Sequence, residues 1–159
     1  MLRQIVKVKK FRVESAEREM AKAKRALESQ QQALEQHRQS VQAFRHFITE
    51  EKNRLFKKIE NMTIGLKKVN EYKDDVMVLK EELLSREQKT VELEELLHQA
   101  EQRLEQAKAQ YQKSYVDLQK YEQVMQEIGE NERYLELYKE EIEQEDLVAS
   151  QMLGTSLAG

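Results

Sequence analysis

The stretch ENMTIGLKK, residues 60–68, contains Gly65, the first glycine in a 159-residue chain that has no proline. The residues on both sides of this stretch read as long helices. The stretch therefore decides the fold, because the chain either runs through it as one rod or turns here and lies back on itself. The apolar pattern and the charge on either side indicate which of the two structures forms.

The composition points to long helices. Charged residues make up 36% of the chain and apolar residues 39%, with a mean hydropathy of −0.86, too polar for a globular core and too apolar for disorder. The absence of cysteine excludes disulfides, thiol catalysis and cysteine-ligated metals. No apolar run approaches the ~20 residues that span a bilayer, and no signal peptide follows Met1, so we expect a soluble cytoplasmic protein without membrane insertion.

Apolar residues recur every seven positions, which predicts a coiled coil. We name the two repeating positions a and d, and the stripe that they form the seam. The a positions are Val6, Val13, Met20, Leu27, Leu34, Val41, Ile48, Leu55, Met62, Val69, Val76, Leu83, Thr90, Leu97, Leu104, Tyr111, Leu118 and Met125. The d positions are Ala16, Ala23, Gln30, His37, Phe44, Glu51 and Lys58, then Tyr72, Leu79, Arg86, Leu93, Ala100, Ala107, Ser114, Tyr121, Ile128, Leu135 and Ile142.

The seam needs a partner, either a second copy in a parallel dimer on the order of 200 Å long or the chain itself. The unbroken a series through residues 62–69 favours the rod. Charge favours the hairpin: residues 1–60 hold 15 Lys and Arg and 8 Asp and Glu, net +7, whereas residues 61–159 hold 12 and 22, net −10. Folding back places opposite charges side by side, and such charges select orientation in coiled coils.

The predicted fold is therefore all-α, a long antiparallel two-helix coiled coil (an α-hairpin) with unequal arms. A turn centred between Thr63 and Ile64 makes every a position face a d position and pairs large side chains with small ones. Gly65 selects this register, because glycine tolerates the left-handed backbone of a helix end. In this register Met1 lies opposite Gln126, and the paired length is roughly 90 Å. The predicted parts are helix 1 over about 2–60, a tip over about 61–65, helix 2 over about 66–146, unpaired beyond about 129, and a flexible tail over 147–159.

No motif indicates catalysis, a metal or a cofactor. His37 faces Thr90 in the predicted register, and we interpret it as part of a polar layer rather than as a metal ligand, since no further ligands converge there. The chain has four glycines and no glycine-rich phosphate loop, and no nucleophile lies beside a base. We therefore do not expect an enzyme.

Two kinds of side chain suggest partner binding. The N-terminal part of helix 1 is basic, and its position beside acidic helix 2 favours neutralisation within the hairpin or a solvated face over a bound ligand. If a ligand does bind here, the scarcity of aromatic residues favours an acidic protein surface over nucleic acid. Phe47 and Phe56, with Ile59, Ile64, Met77 and Val78, predict an apolar surface near the tip. Tyr134, Leu135 and Tyr138 form a smaller patch on the unpaired stretch.

Several stretches resemble the YscO family of type III secretion proteins and its flagellar relative, the FliJ family. They are MLRQIVKVKKFRVESAERE at residues 1–19, FRHFITEEKNRLF at residues 44–56, and GLKKVNEYKDDVMVLKEEL at residues 65–83. The resemblance extends from Met1 to about residue 145. It implies a two-helix coiled coil similar to the central stalk of rotary ATPases, at the cytoplasmic base of a bacterial secretion apparatus.

The resemblance also implies partners: the hexameric export ATPase, the cytoplasmic domain of the export gate protein, and secretion chaperones. Only Leu79 matches a gate-contact residue of the flagellar relatives in kind, while Asp75, Glu82 and Arg86 depart from the expected apolar types. The predicted ring contacts are Arg3, Lys7, Lys10, Arg12, Arg18 and Arg25. The predicted gate and chaperone contacts are Phe47, Lys52, Phe56, Leu79 and Arg86, and those of the unpaired stretch are Tyr134 and Tyr138.

Two other functions stay open on the sequence alone. A generic structural rod would be a parallel dimer of twice the 18.9 kDa chain mass, whereas the stalk is expected to be a monomer on its own. A chaperone that holds clients on its tip-proximal apolar surface would bind many unfolded proteins rather than one assembly.

Overall fold

The computed structural model describes residues 1–60 and 65–158, and their side chains as far as Gly154. Within these residues the chain forms two helices, α1 (Leu2–Glu60) and α2 (Leu66–Ala158). The helices pack against each other as a hairpin of unequal arms, which confirms the predicted fold. Residues 61–64, most of the predicted tip, lie outside the described residues.

Ion pairs between the helices establish their direction. In the unit formed by residues 18–109, Arg38 pairs with Glu94 at 3.1 Å, and Arg45 pairs with Glu87 at 2.9 Å. Seven residues forward along α1 therefore correspond to seven residues backward along α2, so the helices are antiparallel. Each partner lies within five residues of the position that the predicted register places opposite it.

The buried side chains lie on the predicted seam. In the unit of residues 18–109, the buried residues are Leu34, Val41, Phe44, Ile48, Ala100 and Leu104. In the unit of residues 1–17 and 110–159, they are Val6, Ala16, Ser114 and Leu118. All ten occupy an a or d position, because residues at these positions return to one side of a supercoiled helix. The heptad pattern thus identifies the core.

Gly65 does not have the conformation that the sequence suggested. No described residue has a positive φ, so the predicted left-handed glycine is wrong. The Gly65 carbonyl instead accepts a hydrogen bond from the Lys68 backbone N–H at 3.1 Å, which places Gly65 at the start of α2. Glycine is common at the N-cap position of a helix, where it is only slightly less favourable than serine.

The C-terminal part of α2 is longer than predicted. The sequence analysis ended helix 2 at about residue 146, with a flexible tail over 147–159, but α2 continues to Ala158. The reason is that the segment from Leu147 is uncharged, contains no proline and includes the good helix formers Leu, Ala, Met and Gln. All side chains from residue 130 to residue 154 are exposed, and we call this segment the overhang.

Replacing Gly129 with alanine is expected to stabilise α2. Gly129 lies inside the helix, and a Cβ built there meets nothing within 4 Å. Glycine loses more backbone entropy than alanine does when it is fixed in a helix, so the substitution lowers this cost of folding by about 0.5–1 kcal/mol. Hydrogen exchange at the amides around residue 129 should slow accordingly. Gly65→Ala is the control, because Gly65 precedes the helix, and it should bring no such protection.

Candidate partner-binding surfaces

The described residues offer little for chemistry. Within residues 1–60 and 65–158, no group of His, Asp and Glu side chains could hold a metal ion. Neither described helix has a stretch apolar enough to cross a bilayer. A cavity of about 160 Å³ lies between the end of α1 and the start of α2, lined by Leu55, Ile59 and Tyr72 together with four charged residues. Hollows of about 430 to 510 Å³ also lie along the described helices, but they are grooves open to solvent rather than enclosed sites. Small-molecule sites bury most of their ligand, so the candidate functional groups are those of the surface.

The predicted basic residues all have exposed side chains. Arg3, Lys7, Lys10 and Arg12 belong to the unit of residues 1–17 and 110–159, and Arg18 and Arg25 belong to the other unit. Arg3, Lys7 and Lys10 follow each other at spacings of four and three residues, which places them along one side of α1. The first turns of the helix thus present a short row of cations.

Lys9, which lies among these cations, contacts α2 of the same chain. Its Nζ is 2.5 Å from Oδ2 of Asp117 and 4.9 Å from the centre of the Tyr121 ring. The hydrogen bond from Lys9 lowers the pKa of Asp117 below its usual value, and the charges of Lys9, Lys120 and Arg12 add to the effect. Lys9 therefore joins α1 to α2, and the exposed cations around it lie on the outside of this contact.

The Lys9–Asp117 pair is expected to make stability depend on pH. Because the pKa of Asp117 is lower in the folded chain, its stabilising contribution is present above the unfolded pKa of about 3.9 and is lost as pH falls through the folded value. The Asp117→Asn variant should therefore melt at a lower temperature than the parent at neutral pH. The difference between the two should shrink below about pH 4. An unchanged difference across thermal melts from pH 7 to pH 3 would contradict the pairing.

The two predicted aromatic contacts near the tip lie on different sides of α1. Phe47 is 47% exposed and its ring stacks on that of Phe44, with 5.9 Å between centroids. Phe56 is 55% exposed. Phe56 follows Phe47 by nine positions, which corresponds to about 2.5 helical turns, so the two side chains point in opposite directions. The structure does not bring them into one surface.

The other three predicted tip-proximal residues are partly covered. Lys52, Leu79 and Arg86 are half-buried. Leu79 and Arg86 occupy d positions, so their side chains are directed toward α1 and present only their edges to solvent. A partner that contacts all five predicted residues would have to reach around both sides of the hairpin.

Arg86 holds a polar layer together in the seam. Its guanidinium carbon lies 3.9 Å from the centre of the Phe44 ring, and its Nη2 donates to Glu82 at 2.9 Å. Its backbone carbonyl accepts hydrogen bonds from His37 Nε2 at 2.9 Å and from Thr90 Oγ1 at 3.1 Å. The sequence placed His37 opposite Thr90 in a polar layer, and the structure shows that the two side chains share one carbonyl. Arg86 is thus a structural residue.

A second charged residue of the seam, Glu51, forms an ion pair within its own helix. Glu51 occupies a d position and pairs with Arg54, whose Nη2 lies 2.5 Å from Glu51 Oε1. The hydrogen bond from Arg54 lowers the pKa of Glu51, and the same bond raises the pKa of Arg54. The ionised pair therefore fills the seam position without a partner from α2.

The sequence analysis missed one regular apolar row. Met77, Leu84 and Val91 are all more than half exposed and follow each other at seven-residue spacing. This spacing returns to one side of the helix, but at the position after a, outside the seam. The sequence analysis assigned Met77 to the apolar surface near the tip but did not follow its seven-residue spacing to Leu84 and Val91, although that signal was present in the sequence.

The overhang exposes a series of large apolar side chains. Tyr134 is 70% and Tyr138 is 54% exposed, as the unpaired stretch predicted for them. Leu135, Ile142 and Met152 are exposed as well. Isolated apolar residues are ordinary on a protein surface, whereas several on one stretch of helix mark an interaction site.

The fold and these surfaces define a class of protein: an α-helical hairpin whose candidate functional groups are exposed side chains rather than residues of an enclosed pocket. Charged groups lie near the start of α1, and apolar groups lie on α2.

Comparison with known proteins identifies the family. Residues 2–150 match the family described as type III secretion protein YscO. The structure is similar to the 2.8 Å crystal structure of the type III secretion protein YscO from Vibrio parahaemolyticus, with a TM-score of 0.81, 25% sequence identity and coverage of 92% of each chain. No curated protein matches the chain. The chain belongs to the YscO family of type III secretion proteins.

Proposed function

We propose that this chain is the non-enzymatic central stalk of a bacterial type III export apparatus. In this role it engages the hexameric export ATPase and the export gate, and it cycles freed secretion chaperones. It acts in the cytoplasm, at the base of the apparatus, as a monomer that uses no cofactor. The observation that carries the proposal is a YscO-family hairpin whose first helix presents exposed cations on its outer side.

The ring contact is assigned to the basic start of α1. Arg3, Lys7 and Lys10 are exposed, and Lys9 is held against Asp117, so the row of cations is carried on a fixed part of the hairpin. Charges in such positions bias the orientation and the rate of encounter with an acidic surface. A single stalk inside the hexameric ring of the export ATPase can contact only some of the six ATPase subunits at a time.

The gate and chaperone contacts are assigned to the tip-proximal residues. Phe47 and Phe56 are the exposed members of that set, and aromatic side chains contribute strongly to protein interfaces. Because the two point to opposite sides of α1, we propose that they serve different contacts. Leu79, Arg86 and Lys52 support these contacts from the edge of the seam.

An ATPase assay tests the proposal. The purified export ATPase is assayed alone and with a molar excess of this protein, and ring formation is followed by sedimentation in the same samples. The expected result is faster ATP hydrolysis together with a larger hexamer fraction. No change in either quantity would contradict the stalk proposal, and a protein of the same net charge with an unrelated fold serves as the control.

A client-holding chaperone is the second candidate, favoured by the exposed row Met77, Leu84 and Val91. It predicts that the protein suppresses aggregation of unrelated unfolded proteins, which the stalk proposal does not require. The parallel-dimer rod is disfavoured, because α1 packs against α2 of the same chain.

A further inference from the structure

We propose that the overhang, residues 130–154, is the docking site for a basic amphipathic helix of another protein. The proposal goes beyond the stalk function, which assigns the ring and the gate to other parts of the chain. It is based on the apolar stripe of the overhang and on the charge that surrounds this stripe.

The apolar residues of the overhang form one stripe. Leu135, Tyr138 and Ile142 are three and four residues apart, and Ala149 follows seven residues after Ile142. At 3.6 residues per turn these spacings return to the same side of a helix. The three larger side chains are each at least 40% exposed. The stripe thus continues the d series of the seam, with no helix described against it.

The charge around the stripe selects a basic partner. Residues 130–154 contain eight Asp and Glu and two Lys and Arg, a net charge of −6. Three ion pairs between the described parts of α1 and α2 are Lys9–Asp117, Arg38–Glu94 and Arg45–Glu87, and in each of these three the cation comes from α1 and the anion from α2. A helix that covers the overhang by the same rule supplies lysine or arginine beside its apolar stripe.

A second copy of the overhang does not fit this description. Two overhangs side by side would bring net charges of −6 and −6 together, and like charges across a coiled-coil interface are destabilising. An anionic membrane surface is disfavoured for the same reason, because interfacial helices that bind such membranes carry lysine and arginine on the polar face.

The length of the overhang is sufficient for such a contact. Its 25 residues extend for about 37 Å, which is roughly three and a half heptads. Amphipathic helices recognise a partner through apolar anchors at such spacings. Because the overhang is already helical to Ala158, binding does not have to include the cost of folding this side of the interface.

A pair of synthetic helices tests the proposal on the full chain. The probe is a 28-residue peptide with Leu at a and d and Lys at e and g, and the control peptide has Glu at e and g. We expect the Lys peptide to bind at least about tenfold more tightly than the Glu peptide by fluorescence anisotropy. The difference should decrease as salt is raised and screens the charges. Equal binding of both peptides, or binding of neither, would overturn the proposal.

Matched variants locate the binding site. The variant L135Q/Y138Q/I142Q removes the stripe while keeping a good helix former at each position. The control L96Q/V116Q/V124Q removes three exposed apolar residues elsewhere on α2 that belong to none of the proposed surfaces. We expect the first variant to lose at least about tenfold in affinity for the Lys peptide and the second to bind as the parent does. Equal loss in both variants, or no loss in the first, would exclude the overhang as the site.

The mass of the free protein gives an independent outcome. Sedimentation that shows a dimer in the parent and a monomer in L135Q/Y138Q/I142Q would mean that a second copy covers the stripe, and it would overturn the proposal. None of these measurements involves the export ATPase, so their failure is separate from failure of the stalk proposal.

Discussion

Replacing Phe44 with alanine is expected to lower the free energy of unfolding by about 3 kcal/mol, the scale of phenylalanine truncation in a core. Phe44 is 8% exposed at a d position, and its ring contacts both Phe47 and the Arg86 guanidinium. Truncation removes the buried ring and leaves Arg86 without its stacking partner. Urea unfolding followed by far-UV circular dichroism measures the change.

The matched control is Phe47→Ala. Phe47 has the same side chain and stacks on the same ring, but it is 47% exposed, so its removal is expected to cost about 1 kcal/mol or less. A double-mutant cycle with Arg86→Ala isolates the cation–π contact, which should couple by about 0.5–1 kcal/mol. Similar losses for Phe44→Ala and Phe47→Ala would mean that Phe44 is not part of the core.

The fold was predictable from the sequence, because both of its determinants are periodic or cumulative. A side chain every seven residues identifies the seam without knowledge of the partner, and the buried Leu34, Val41 and Ile48 follow from it directly. The opposite net charges of residues 1–60 and 61–159 indicate that the first helix packs against the second helix of the same chain. Individual ion pairs such as Arg45–Glu87 then follow from the antiparallel register.

Local backbone structure was less predictable. The assumption that Gly65 takes the left-handed conformation of a helix end was wrong, since Gly65 directly precedes the second helix and no described residue has a positive φ. The predicted centre of the turn, between Thr63 and Ile64, lies outside the described residues. A glycine is compatible with either end of a helix, and only its hydrogen bond with Lys68 distinguishes them. The end of α2 was also misplaced, because the uncharged composition after Asp146 was given more weight than its helix propensity.

The candidate site was predictable only in part. Exposure of Tyr134 and Tyr138 followed from the loss of the paired arm, and exposure of the basic residues followed from their positions outside the seam. The grouping of Phe47 with Phe56 into one surface was wrong. It was based on their closeness in sequence, whereas the number of helical turns between two residues determines whether they share a side of the helix. The double role of the Arg86 carbonyl depends on side-chain rotamers, which the heptad pattern does not specify.

Reversing three charges at the start of α1 is expected to abolish the effect on the export ATPase that we propose for this protein. Arg3, Lys7 and Lys10 are exposed, and none of them is among the groups that lower the pKa of Asp117, so the contact between Lys9 and Asp117 should persist. In R3E/K7E/K10E the row becomes acidic, and an acidic ring surface would repel it. Loss of three favourable contacts and gain of three repulsive ones should weaken ring binding by at least about a hundredfold, near 3 kcal/mol.

The matched control reverses three other exposed lysines, in K57E/K67E/K73E. The net charge of the two variants is identical, so a general effect of charge on encounter would weaken both equally. We expect the control to bind the ATPase within about threefold of the parent, and both variants to unfold at urea concentrations close to that of the parent. An equal loss of affinity for the ATPase in both variants would mean that binding depends only on the net charge of the protein. In that case the start of α1 would have no special part in the stalk, and the ring contact would have to be sought on another face of the hairpin.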